Sequence, residues 1–241
     1  MRLQRFFLVA AIALSLIYIN GCTEHNTNPD ESQNMNSNQN PPSLPQLNFL
    51  TPLSTSNDPA LSLISGYIGS LNALNVYSDA VASGVKATKD NNDWVWTYIK
   101  GALQITLRAE LQSDGNYHWN AYLSGTKDSV TYNNWLSADG ISSLDGKNGT
   151  WRVFRNNSTI VEGEYTWDKA SDGTISGTAK AMKNGSESGR IELTNHPDKS
   201  GELQVFVLND LFFKALWQSD GSGQWWRYGL NGAVLHEGTW K

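Results

Sequence analysis

The chain is poor in cysteine. Among its 241 residues there is a single cysteine, Cys22. One thiol cannot form an intramolecular disulfide, and it cannot supply the set of thiolates that a cysteine-based zinc site needs. The four histidines do not compensate, because none of them lies three or four residues from another. We therefore expect no bound metal and no other cofactor.

Clustered positive charge is also missing. No run of lysine or arginine occurs, and 18 basic residues stand against 23 acidic ones, which gives a formal net charge of −5. Binding to nucleic acid requires grouped basic side chains that displace counterions from the phosphates. The composition therefore excludes nucleic acid as an expected partner, and it offers no polybasic patch for a membrane surface.

The longest hydrophobic run of the chain lies near its start, and it is too short for a comfortable membrane span. Arg2 and Arg5 are followed by apolar residues over 6–17, whereas a transmembrane helix needs about 20 residues. A short positive region before such a run is the pattern of a signal peptide, which we place at residues 1–21. Its removal takes two of the 18 basic residues, so 16 basic and 23 acidic residues remain, a net charge of −7.

The run leads into Ile19-Asn20-Gly21-Cys22. This tetrapeptide resembles the lipobox of bacterial lipoproteins, which has a branched apolar residue, a tolerant position, a small residue and an obligatory cysteine. The resemblance implies cleavage before Cys22, diacylglycerol on its thiol and a further acyl chain on its amino group. Several acyl chains anchor a protein stably where one does not. We therefore expect lipidation at Cys22 and a place in the cell envelope, with the outer membrane as the default.

Composition divides the remaining chain into three parts. Residues 22–47 are mostly Asn, Gln, Ser and Pro and have too few apolar side chains to offset the entropy of ordering. They predict a disordered tether that spans about 25–30 Å. Residues 48–92 form a predicted helical segment and residues 93–241 a predicted antiparallel β domain. We expect these two parts to pack together as one domain.

The helical segment begins with a clear start signal. Asp58 can cap a helix, and Pro59 lacks the N–H that the first helical position leaves unbonded. The apolar residues that follow are three or four positions apart, which predicts a helix over 59–74 with one apolar face lying on the sheet. They are Leu61, Ile64, Ile68 and Leu71. A second short helix is predicted near 77–87.

The β domain is indicated by alternation and by turn signals. Residues 103–111 alternate strictly between apolar and polar side chains, which predicts a strand with one buried face. Asp-Gly and Asn-Gly recur, and both residues of such turns tolerate a positive φ, which makes them hairpin signals. The dipeptides begin at Asp114, Asp139, Asp145, Asn148, Asp172, Asn184, Asp220 and Asn231. The segments between these turns predict ten to twelve short strands, in an up-and-down meander that curls into a barrel or half-barrel.

The aromatic residues are the enrichment that could carry a function. All ten tryptophans lie between Trp94 and Trp240. Trp94, Trp96 and Tyr98 share one face of a predicted strand, and Trp119 lies on another. These side chains form either the core or the wall of a ligand cavity, and core is favoured because large aromatics mostly stabilise the interior.

Two functional hypotheses stay open, and neither is enzymatic. The first is a structural or protein-interaction module held at the envelope by its acyl anchor, with an envelope protein as partner. The alternative is binding or carriage of an apolar ligand such as lipid, since the predicted architecture is similar to lipocalin-like barrels and periplasmic lipoprotein carriers. Such a ligand would lie between the sheet and the first helix. Its expected contacts are Ile64, Ile68, Leu71, Trp94, Trp96, Tyr98 and Trp119.

Overall fold

The computed structural model describes residues 41–44, 47–82 and 85–241, with the side chains of Ala80 and Ala82 left out. Cys22, the predicted signal peptide and most of the predicted tether lie outside these residues. The described part contains two helices, α1 (Pro59–Asn72) and α2 (Asn75–Ala82). It contains thirteen strands: β1 (Thr88–Asp90), β2 (Asp93–Lys100), β3 (Leu103–Leu111), β4 (Tyr117–Lys127), β5 (Val130–Ser142), β6 (Asn148–Phe154), β7 (Val161–Lys169), β8 (Ile175–Lys183), β9 (Ser186–Asn195), β10 (Gly201–Val207), β11 (Asp210–Trp217), β12 (Gly223–Tyr228) and β13 (Val234–Trp240).

All thirteen strands form one antiparallel sheet in chain order. Each strand pairs with the next along the chain, and β1 and β13 are the two edges, so the sheet stays open. The register shifts within five of the pairs: β4–β5, β6–β7, β8–β9, β10–β11 and β12–β13. Such bulges increase the local twist of a sheet. The predicted mostly β meander is therefore confirmed, in its open, curled form.

The Asp-Gly turns close the hairpins by a different geometry from the predicted one. Between β11 and β12, the N–H of Gly221 donates to the carbonyl of Gln218 at 3.0 Å. Gly221 has a φ of 86°, whereas Asp220 does not have a positive φ. This is the pattern of a type I turn followed by a glycine bulge. The carboxylate of Asp220 then accepts the N–H of Ser222 at 2.9 Å.

Two of the predicted turns do not exist. Asp139-Gly140 lies inside β5, and Asn148-Gly149 begins β6. Gly149 is directly opposite Trp167 in the register, and a Cβ on it would lie 2.3 Å from the indole ring. Gly140 faces Trp151 in the same way, at 2.9 Å. Both glycines make room for a ring on the neighbouring strand rather than for a turn.

Helix α1 starts where the sequence predicts. Asp58 is the N-cap, its carboxylate accepts the N–H of Ala60 at 2.8 Å, and Pro59 is the first helical residue. The helix ends at Asn72, and α2 begins at Asn75. The predicted boundaries at 74 and 77 are therefore each off by two residues, and the predicted end near 87 is wrong because residues 85–87 are not helical.

An irregular segment upstream of α1 completes the layer on the inner face of the sheet. Leu44, Leu47 and Phe49 are buried in the same core cluster as α1 and the central strands. Order in the chain therefore begins before residue 48. Three asparagine side chains, here called the asparagine brackets, each donate to and accept from the backbone of one residue at 2.8–3.3 Å. The pairs are Asn75 with Leu47, Asn72 with Phe49, and Asn195 with Leu50.

The turn aspartates make the fold sensitive to acid. Hydrogen bonds from the backbone and from turn side chains lower the pKa of five of them below the ordinary 3.8. These are Asp114, Asp145, Asp172, Asp198 and Asp220. A group with a lowered folded pKa stabilises the fold above its unfolded pKa, and this stabilisation is lost as the pH falls through the folded pKa. We expect the thermal midpoint, followed by circular dichroism, to fall as the pH drops below about 4.

A matched variant isolates this effect. Asn231 occupies the same place in the turn between β12 and β13 and accepts the N–H of Ala233 at 3.2 Å. Replacing all five aspartates by asparagine therefore keeps an acceptor in each turn and removes the titrating group. The acid-induced fall in the midpoint should be smaller in this variant. An unchanged pH profile would show that the turn carboxylates do not cause it.

Candidate functional site

The structure places the predicted ligand contacts in the interior. Ile64, Ile68 and Leu71 of α1 are 0%, 1% and 2% exposed. Trp94, Trp96 and Trp119 of the sheet belong to the same buried cluster. Tyr98 lies apart from them, partly buried against a second cluster formed by Leu103, Ile105, Leu123 and Tyr132. Cys22, the predicted lipidation site, lies outside the described residues.

Two of the buried tryptophans stack on each other, and one of them has a hydrogen-bonded indole N–H. Trp96 stacks on Trp119 with ring centroids 5.8 Å apart. The indole N–H of Trp119 donates to the hydroxyl of Ser142 at 2.9 Å. Stacked rings with paired N–H groups are the arrangement of a packed core. These tryptophans therefore form part of the core, as the favoured prediction expected.

The described pocket under the helical layer is small. It lies where the segment around Leu44 and Leu47 meets α2, and its walls include Leu74, Tyr77 and Trp151. Its volume is about 10 Å³, close to the least that holds one water molecule. None of the seven predicted ligand contacts lines it. This pocket has no room for an acyl chain.

The buried tyrosines next to this pocket are not poised for acid–base chemistry. Tyr77 stacks on Trp151 with ring centroids 5.0 Å apart and planes at 5°. Burial raises the pKa of Tyr77 and of Tyr165 above the ordinary value of 10.0, so both hydroxyls stay protonated at neutral pH. Within residues 41–44, 47–82 and 85–241, no three His, Cys, Asp or Glu side chains are grouped to hold a metal ion.

A repeated contact between glycine and tryptophan, which sequence reasoning missed, builds one end of the sheet. In each of these Gly–Trp pairs the ring lies over a glycine on the neighbouring strand, and the indole N–H donates to a turn carbonyl at 2.7–3.1 Å. The pairs are Gly149 with Trp167, Gly201 with Trp217, and Gly223 with Trp240. A glycine 16 to 18 residues before a tryptophan is the sequence signal that could have found them.

The outer face of the sheet is polar and carries ion pairs. Arg152 binds Asp139 through two nitrogens, at 2.8 and 2.6 Å. Arg190 binds Glu187 at 2.5 Å and Glu192 at 2.6 Å. These side chains are partly exposed, so each pair adds about 1 kcal/mol or less to stability. The outer face is therefore polar and well solvated.

The two edges of the sheet differ in how they are protected. The edge strand β1 has three residues, and its Asp90 binds Arg108 at 3.0 Å. The edge strand β13 has seven residues with neither lysine nor proline, and its protection is limited to the acidic Glu237 and a register shift against β12. Val234 and Leu235 on it are 50% and 56% exposed. Edge strands usually carry charge, proline, a bulge or a cover that blocks pairing with another chain. Because β13 is longer than β1 and exposes two apolar side chains, its edge is the candidate interaction site.

The described helices are too short, or too polar, to cross a lipid bilayer. Neither a known protein-family model nor a curated protein matches the chain.

Proposed function

We propose that this protein is a non-enzymatic lipoprotein of the cell envelope whose β domain acts as a structural and protein-interaction module. The lipobox-like tetrapeptide ending at Cys22 supports the membrane anchor, with the outer membrane as the expected location. The observation that carries the interaction role is the free edge of β13, where Val234 and Leu235 are exposed beside backbone groups that have no neighbouring strand.

Strand addition is the mode of binding that fits this edge. An extended segment of a partner protein would continue the sheet beyond β13, so that its main chain pairs with the free N–H and C=O groups. Each such hydrogen bond contributes about 0.5–1.5 kcal/mol. Val234 and Leu235 would add apolar contacts with alternate side chains of the added strand. A module of this kind requires a rigid, filled core, which α1 and the buried tryptophans provide.

Carriage of a lipid, the alternative, gains no support from the described pocket of about 10 Å³. A lipid could enter between α1 and the sheet only if Ile64 and Ile68, both almost completely buried, moved away. Organic extraction of the purified protein distinguishes the two functions. A stoichiometric lipid in addition to the acyl chains on Cys22 would favour carriage over strand addition.

The edge can be blocked without touching the core. We expect the double substitution Val234→Lys and Leu235→Lys to abolish cross-linking of the full-length protein to its envelope partner in living cells. The matched control is Leu208→Lys, because Leu208 is 61% exposed in the hairpin between β10 and β11, away from the edge. The control should cross-link normally. Equal cross-linking by all three proteins would contradict binding at β13.

The anchor is tested separately. We expect Cys22→Ser to remove the protein from the membrane fraction and to abolish labelling by radioactive fatty acid, because the thiol that accepts diacylglycerol is gone. The same chain without the substitution should be labelled and sediment with membranes. If Cys22→Ser remained in the membrane fraction at the normal level, acylation at Cys22 would not be the anchor.

A further inference from the structure

The charged side chains are distributed very unevenly along the chain. Of the 18 basic and 23 acidic residues, only Asp58 and Asp79 lie within residues 41–82. Asp58 is occupied in the fold, since its carboxylate caps α1 and lies 3.5 Å from the indole N–H of Trp225. The layer that covers the inner face of the sheet is therefore almost free of charge.

The solvent side of this layer, over residues 47–72, is here called the neutral face. Its exposed residues are leucine, serine, threonine, asparagine, glycine and proline. Three leucines protrude from it: Leu50, Leu53 and Leu63 are 44%, 61% and 50% exposed. Helix α1 contributes Leu63 and, on the same exposed side, Ser62 and Gly66. The neutral face thus combines protruding apolar side chains with small polar residues.

The opposite side of the domain, in contrast, is rich in charged residues. Residues 88–241 contain 18 acidic and 15 basic residues. Many of these, such as Arg152 with Asp139 and Arg190 with Glu187, are on the outer face of the sheet. Placing charged groups against a bilayer costs free energy, because they lose water. Of the two faces, only the neutral face can contact lipid without this cost.

The route of the chain brings the neutral face toward the anchor. Eighteen residues separate Cys22 from Pro41, where the described chain begins. The chain then enters the layer of the neutral face, where Leu44 and Leu47 are buried. The tether predicted from the sequence would span about 21–25 Å over that length. Such a tether would keep this face at a high effective concentration next to the bilayer, so that weak contacts suffice for docking.

We infer that the neutral face rests on the lipid bilayer, with Leu50, Leu53 and Leu63 inserted among the headgroups. This inference rests on the proposed anchor at Cys22. It orients the domain: α1 and the segment before it face the membrane, the outer face of the sheet faces water, and the β13 edge stays accessible at the side.

The single native cysteine makes the orientation measurable. With Cys22 acylated, an introduced cysteine is the only free thiol of the full-length lipoprotein. Leu63→Cys places it on the neutral face, and Thr166→Cys places the matched control at an exposed position on the outer face of the sheet. Each thiol is labelled with a fluorophore, and the protein is reconstituted in phosphatidylcholine vesicles with a minority of phosphatidylglycerol. Brominated acyl chains serve as the quencher.

We expect quenching of the Leu63→Cys label to exceed that of the Thr166→Cys label several-fold, while both proteins float with the vesicles. Flotation with equal quenching at the two positions would overturn the orientation and leave the anchor intact. Failure to float would overturn both the anchor and the orientation that depends on it. If the Leu63→Cys label were shielded from water in detergent, without vesicles, a second copy or another protein would cover the face instead of lipid.

A second variant tests the leucines themselves. A label at Ser62→Cys should be quenched strongly in the otherwise unchanged chain. Replacing Leu50, Leu53 and Leu63 by glutamate should reduce its quenching to the level of the Thr166→Cys label, with flotation unchanged because the acyl chains remain. If quenching at Ser62→Cys survived the three substitutions, the leucines would not be what holds the face on the bilayer.

Discussion

Replacing Trp217 by alanine should lower the free energy of unfolding by about 3–5 kcal/mol. Trp217 is 1% exposed, its ring covers Gly201 on the neighbouring strand, and its indole N–H donates to the carbonyl of Lys199 at 3.1 Å. Alanine would leave a cavity at the end of the sheet and would remove the donor from that carbonyl. Urea denaturation followed by circular dichroism measures the loss.

Two further substitutions separate the causes of this loss. Trp226→Ala removes a partly exposed tryptophan from the outer face of β12, and it should cost about 1 kcal/mol or less. Trp217→Phe keeps an aromatic ring over Gly201 but lacks the N–H, so it should cost more than Trp226→Ala and less than Trp217→Ala. Equal losses for Trp217→Ala and Trp226→Ala would show that the Gly–Trp pair has no special weight.

The second large effect should come from the other partner of the same pair. Gly201→Ala should lower the free energy of unfolding by about 1–3 kcal/mol. A Cβ at this position would lie 2.4 Å from the ring of Trp217 and 2.7 Å from the carbonyl oxygen of Thr194, so either the strand or the ring must shift. The measurement is again equilibrium unfolding in urea.

A glycine-to-alanine substitution in α1 should raise the free energy of unfolding instead of lowering it. Gly66 lies in the middle of the helix, is exposed, and has no heavy atom within 4 Å of the position where a Cβ would stand. Gly66→Ala should therefore stabilise the protein by about 0.5–1 kcal/mol, because glycine loses more backbone entropy in a helix than alanine. Destabilisation by both substitutions to the same extent would contradict the steric explanation at Gly201.

Combining the two changes in one pair tests their coupling. In the Trp217→Ala background the space over residue 201 is vacant, so Gly201→Ala should cost less there than in the unchanged chain. Residues in direct contact commonly show such non-additivity. Additive losses would mean that the added methyl group clashes with the carbonyl of Thr194 rather than with the ring.

The order and type of the elements could be predicted because they depend on local patterns. The alternation over 103–111 coincides with β3, which runs from Leu103 to Leu111. The cap at Asp58 starts α1 where it was predicted. In a meander each strand pairs with its neighbour in the chain, so local turn signals determine the topology as well. Long-range information was not needed for this part of the fold.

The glycine of an Asp-Gly or Asn-Gly dipeptide did not predict a turn unambiguously, because glycine has two structural roles in this chain. Gly115 and Gly221 have a positive φ in turns, whereas Gly140 and Gly149 lie in strands and leave room for tryptophan rings. Both kinds follow Asp or Asn, so the dipeptide alone does not separate them. The distinction depends on which residue lies opposite in the neighbouring strand, and that is a property of the register.

The burial of the candidate site residues could be predicted, but not what surrounds them. Periodicity places Ile64 and Ile68 on one face of α1 and Trp94 and Trp96 on one face of β2. Whether a gap remains between these faces depends on how far apart the layers lie. The segment from Leu47 to Leu50 fills part of that space, and its partners Asn75, Asn72 and Asn195 lie 28, 23 and 145 residues away.

The asparagine brackets determine how the domain would respond to mechanical force. In a chain held at Cys22, a pull on the domain enters through the segment that begins at Leu44. It loads the bracket at Leu47 first, then the one at Phe49, and then the one at Leu50. Each bracket is a single pair of hydrogen bonds that can open in turn, while the thirteen strands keep their ladders. The domain would therefore lengthen stepwise at the end nearest Cys22, and the sheet would carry load only when the third bracket, to Asn195 of β9, is reached.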